Sequence, residues 1–251
     1  MHDGLAQSSV AGAAGPMHHR GMTNTDPVAV PAIVDAVIRS RRSVRAFLPT
    51  PVPRAVVAEL LDVARSAPSN SNTQPWFVHV LAGEPKRHLC EALRRSHEAD
   101  ALPPSAHFPA ELPQDCASRQ ADFGVRYYGA LGIDRADAAA RARQSGRNFA
   151  FFDAPVGLIF TIDRGLTRHS WADFGMFLQT LMIAARARGL DTCPQVSFVR
   201  HEPVIADLLD LPQGRTVVCG MSLGHADPEA PVNRLRMPRA AVGEFAVFRG
   251  L

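Results

Sequence analysis

Lysine is almost missing from this chain. Lys86 is the only one, so 26 of the 27 basic side chains are arginines. Cysteine is sparse too. Cys90, Cys116, Cys193 and Cys219 form no Cys-x-x-Cys pair and no dense framework. That excludes a disulfide scaffold and a zinc site, and points to four reduced thiols in a cytoplasmic protein. His18 and His19 have no ligand spacing around them. No apolar run approaches the roughly 18–20 residues of a membrane-spanning helix. Residues 1–25 lack the continuous apolar stretch of a secretory signal, and are expected to form a flexible leader with Met17 and Met22 as alternative starts. Charge of one sign is not concentrated anywhere. Arginines alternate with acids to a net +3, which argues against a nucleic-acid stripe.

What is present is a globular composition, 46% hydrophobic and 20% charged over 251 residues. One domain is expected over 26–251. Ile33, Val34, Val37 and Ile38 fall at helical spacing in 31–41. A second helix is expected to start at Pro53, with Val56, Val57, Leu60, Leu61 and Ala64 as its stripe and Pro68 as its stop. Residues 77–81 read as a strand and 84–96 as a helix; four prolines make 101–115 an irregular loop. Residues 117–149 read as a weak helix, suited to cover a site or a partner. The continuous apolar run 156–162 reads as a buried strand. Residues 171–188 form the strongest helix, with Ser170 and Asp173 as a capping box and Gly189 as its stop. Its apolar residues, from Phe174 to Ile183, cover nearly the whole circumference, as in a core or subunit-interface helix. Residues 217–223 and 244–248 complete the strands. The irregular alternation predicts α+β.

Three segments can carry chemistry. Arg41, Arg42, Ser43 and Arg45 follow a helix directly and would suit a phosphate monoester, whose oxygens match the guanidinium fork. The bland alternative is a basic helix end favoured by the dipole. The loop 68–76 holds Asn70, Asn72 and Gln74, whose amides offer paired donors and acceptors; an ordinary turn has the same composition. In the C-terminal half, Pro194, Gln195, Val196 and Ser197 precede Gly220 and Gly224, which suggest close approach to something flat. Arg236 and Arg239 form a second arginine group. No Ser-His-Asp or paired-carboxylate arrangement is visible.

In this order the segments resemble the nitroreductase family of FMN-dependent oxidoreductases, over 32–251. The most specific part is Arg-Arg-Ser-x-Arg followed by Pro-Ser-x-x-Asn-x-Gln-Pro-Trp. The resemblance implies a central, mostly antiparallel sheet flanked by helices, and an intertwined homodimer whose active sites both chains build. It implies FMN held by Arg41, Arg42, Ser43, Arg45, Asn72, Gln74, the 194–197 turn, Gly224, Arg236 and Arg239. Phe123, Tyr127 and Tyr128 would roof a substrate pocket or simply pack. Hydride would pass from NADPH or NADH to nitroaromatic or quinone-like acceptors by a ping-pong scheme, with the flavin and no protein side chain carrying the chemistry. Dehalogenation, flavin fragmentation or non-catalytic flavin binding are the alternatives. Where one branch has Pro-x-Glu-Gly, this chain has Pro194-Gln195-Val196-Ser197, so Val196 or Ser197 would present the N–H facing flavin N5. That form resembles the branch acting on nitrobenzoate-type aromatics.

Overall fold

The computed structural model describes residues 29–99, 109 and 111–251; the expected leader at 1–25 and most of the proline-rich loop lie outside them. Contacts divide the chain at Ala36, and the larger unit, Val37–Leu251, holds everything described below. Helix α1 (Ala29–Ser40) leads into it.

Four strands build one antiparallel sheet in the order β1-β2-β4-β3. They are β1 (Phe77–Ala82), β2 (Val156–Asp163), β3 (Asp191–Gln195) and β4 (Arg215–Gly224). β2 is central and buried on both sides, which is why its sequence runs apolar without alternating. Leu158, Phe160 and Ile162 meet α2 (Arg54–Ala64) and α6 (Arg168–Ala187) on one face. Ile159, on the opposite face, joins α3 (Gly83–Glu98), α7 (Glu202–Leu208) and two 3-10 turns, Arg147–Asp153 and Val196–His201.

The weak helical region is two helices, α4 (Gln114–Ala130) and α5 (Ala138–Gly146). Gly132 takes a positive φ of 65° between them. Asp137 then caps α5 by accepting a hydrogen bond from the Ala140 N–H at 2.8 Å.

Four readings are corrected. β3 was not foreseen, because Pro194 lies inside it; an edge strand tolerates a residue with no N–H to donate. Residues 244–248 form no strand. After α8 (Pro231–Arg234), the short helix α9 (Val242–Phe245) occupies their start, with the Glu244 carboxylate accepting from the Ala241 N–H at 2.7 Å. Among the described residues no strand pairs with them, and Phe245 is 71% exposed. The capping box at Ser170 is absent, since α6 begins at Arg168 and Asp173 turns to another task. The same helix is two-faced rather than buried all round. Phe174, Phe177 and Leu181 lie in the chain's own core, whereas Trp171, Gly175 and Met176 face outward.

Candidate cofactor site

Arg41 to Arg45 run extended along the free edge of β3. The Val44 N–H donates to the Thr192 carbonyl at 3.0 Å, and Ser43 pairs with Thr192 in a parallel bridge. Val44 is fully buried and anchors the segment. Alternation then sends Ser43 and Arg45 to the other side, where both lie near Cys193. Burial pushes that thiol up to about 11, so it stays protonated and offers no thiolate. All four cysteines are free thiols.

The second arginine group comes close to the first. Burial, then the Arg239 charge, lowers the pKa of Arg41; burial, then the Arg236 charge, does the same for Arg42. Asn233 makes this approach possible and was not singled out by sequence. Its buried side chain accepts from the Arg45 N–H at 2.9 Å and donates to the Ala46 and Asp227 carbonyls at 2.7 and 2.9 Å. One amide thus ties the start of the C-terminal segment to the Arg45 strand; nothing in a lone asparagine signals that role.

Among the described residues beyond Ala36, none of Arg41, Arg42, Arg45, Arg236 and Arg239 ion-pairs with a carboxylate. Arg236 and Arg239 bond to backbone carbonyls of their own segment. Arg45 lies over the rings of Tyr127 and Phe123, at 5.0 and 5.4 Å from their centroids. The Arg42 Nε is buried with no partner. Like charges held together this way, with a buried donor left over, fit a polyvalent oxoanion such as a phosphate monoester.

The amide loop is pinned elsewhere. The Asn70 N–H donates to the buried Asp173 carboxylate on α6 at 3.0 Å, and Trp76 stacks on Phe177 at 4.8 Å. Ser71, Asn72 and Gln74 hold positive φ values of 51°, 57° and 46°. Such backbone costs about 1–3 kcal/mol per residue, and is kept where a loop must present groups in one geometry. The Asn72 and Gln74 side chains are exposed.

The structure does not bring loop and arginines together within one chain. The loop hangs on Asp173. The arginine end is fixed by Arg186, which donates to Ser40 Oγ at 3.0 Å and Asp191 at 3.2 Å. From Asp173 to Arg186, α6 rises about 20 Å at about 1.5 Å per residue.

The remaining site residues divide. The Gln195 side chain is locked internally, donating to the Asn148 carbonyl and accepting from Ser222 Oγ, each at 2.8 Å. Pro194 is half-buried in β3, and Val196 is exposed where the 3-10 turn starts. Ser197 Oγ is buried without a partner. The flat partner expected for the glycines is, at Gly220, the protein itself: a Cβ there would come within 2.6 Å of the Phe198 ring. One on Gly224 would strike Pro155 at the same distance. Tyr127 is buried and accepts from Gln144 Nε2 at 2.8 Å, so its ring supports Arg45. Phe123 is half-buried on a cavity wall, and Tyr128 lines a different cavity, beside Arg135 and Arg141.

Comparison with known proteins identifies the fold and the family. The model of the nitroreductase family matches residues 38–225. A 4-nitrobenzoate reductase of Pseudomonas putida is 56% identical over 86% of this chain and 95% of its own. A nitrobenzene nitroreductase of Ectopseudomonas oleovorans is 44% identical over 86% and 96%. The crystal structure of an FMN-dependent nitroreductase from Mycobacterium smegmatis, in complex with NADPH, superposes with a TM-score of 0.84 at 32% identity, covering 88% of this chain and 99% of that one. The chain belongs to the nitroreductase family.

Proposed function

We propose that this protein is an FMN-dependent reductase that takes hydride from NADPH or NADH and delivers it to nitroaromatic acceptors. The observation that carries the reading is the arginine cluster with its unpartnered Arg42 Nε, in a chain similar to enzymes named for nitrobenzoate and nitrobenzene reduction. Arg41, Arg42, Arg236 and Arg239 would grip the phosphate. Arg45, set on two aromatic rings, would face the electron-rich edge of the flavin and favour its reduced, anionic form. When bound, FMN supplies reversible hydride chemistry that no side chain here can.

The same proposal includes a homodimer with shared sites. In a two-fold pair the same patch meets itself. If the outward face of α6, from Trp171 past Gly175, Met176 and Gln179 to Ala187, packs along its full length against its antiparallel copy, the loop end of one helix lies beside the arginine end of the other. The 20 Å gap within one chain then closes between chains, with Asn72 and Gln74 of one protomer facing the arginines of its partner. Among the described residues no helix is long and apolar enough to cross a membrane; with thiols left free and a dinucleotide as donor, the cytoplasm is the proposed compartment.

The test is direct. The purified protein is expected to be yellow and to release FMN, not FAD, on heating. It should oxidise NADPH or NADH when a nitroarene is added. A colourless protein that takes up no FMN would sink the reading.

A further inference from the structure

Between α4 and the C-terminal segment lies a cavity of about 680 Å³, lined by Arg119, Phe123, Met237, Pro238, Arg239 and Phe245. That volume is within the range of small-molecule sites. Arg119 and Phe123 stand four residues apart, on one face of α4. The Phe123 ring is held from behind by Tyr127, stacked at 5.3 Å and 11°. It is therefore a fixed aromatic wall. The facing wall is apolar, and Arg239 occupies its Met237 and Pro238 carbonyls. No acidic residue lines the cavity.

Two guanidiniums border this space, and they differ in their duties. Arg239 lies close enough to Arg41 for their charges to repel, and belongs with the phosphate grip. Arg119 stands on the other wall. Its ion pair with Asp115, on its own helix, is 3.8 Å long with both side chains largely exposed; such pairs are worth little. A flat apolar space with one aromatic wall and one lightly engaged guanidinium fits a ring that carries an anion.

We propose that Arg119 determines specificity for carboxylated nitroarenes, taking the carboxylate in its fork while Phe123 takes the ring. The proposal rests on the nitroreductase reading above. Its test compares 4-nitrobenzoate with nitrobenzene, which lacks the carboxylate, in wild type, Arg119→Gln and Arg119→Lys. In the Gln variant the ratio of kcat/KM for nitrobenzoate over nitrobenzene is expected to fall about tenfold to a hundredfold, the weight of a charge-assisted hydrogen bond. The Lys variant should recover part of it. Calorimetry with benzoate, which cannot be reduced, should show a matching loss of affinity.

An unchanged ratio and unchanged benzoate affinity overturn the assignment. A rise in KM for NADPH with the ratio unmoved also overturns it, and assigns the guanidinium to a dinucleotide phosphate. A wild type that binds FMN yet reduces neither nitroarene defeats the reductase reading instead, and the benzoate titration still decides Arg119.

Discussion

His201 is fully buried and makes one polar contact, Nδ1 to Ser96 Oγ at 3.0 Å; its Nε2 is buried without a partner. The Phe149 ring meets it edge-on at 4.4 Å, and the His97 imidazole lies 6.2 Å away. Burial, then His97 and Arg200, lower its pKa to about 4. An unfolded histidine titrates near 6.5. Between those values the unfolded chain binds the extra proton, so stability is full above about pH 6.5 and falls as pH drops toward 4. Thermal melts from pH 8 to 4 should show that decline, and His201→Gln should flatten it. Equal slopes in the two proteins would remove His201 from the account. At this scale the sequence is a poor guide. A histidine in Val-Arg-His-Glu does not say that Ser96, from another helix, will be its partner. Gly220 likewise suggested close approach to something flat without saying that the flat partner is Phe198 of the same chain.

Among the elements, α6 carries the most consequence. Its outward face leaves Met176 39% exposed and Trp171 41% exposed, beside Gly175. In the proposed dimer this face is covered, and a carboxylate at position 176 would be desolvated and unpaired at a cost of several kcal/mol, roughly. Met176→Glu should therefore lose dimer and flavin together, read by light scattering and by the visible spectrum. A monomeric variant that keeps its flavin would detach the site from the interface. Phe177 is unsuited to that test: it is 2% exposed in the chain's own core, where a charge would destabilise the fold itself. An apolar sequence could not separate the two faces, because methionine and phenylalanine satisfy either environment. Where burial imposes a period or a continuous run, the elements were legible: β2, α2 and the body of α6 fall where their patterns put them. β3 and 244–248 were misread for opposite reasons. Proline disguised a strand, and an exposed apolar tail imitated one. The two arginine segments were legible as a group, since few structural needs place guanidiniums side by side, and the structure brings Arg41 near Arg239 and Arg42 near Arg236. Asn233, Asp173 and Gln144, which hold those segments and the amide loop in place, were not.

For the whole molecule, the separation of the amide loop from the arginines by the length of α6 has a genetic consequence. In the proposed dimer, a chain carrying Arg41→Ala and a chain carrying Asn72→Ala damage opposite halves of a site. A homodimer of either has two impaired sites. When the two variants pair with each other, both lesions fall in the same site, and the second is assembled from an intact loop and an intact set of arginines. Co-expression should therefore restore flavin to about one site per mixed dimer, on the isologous geometry of a two-fold pair. Two inactive alleles would complement each other without any recombination. If purified mixed dimers carry no more flavin than either parent, each chain builds its site alone.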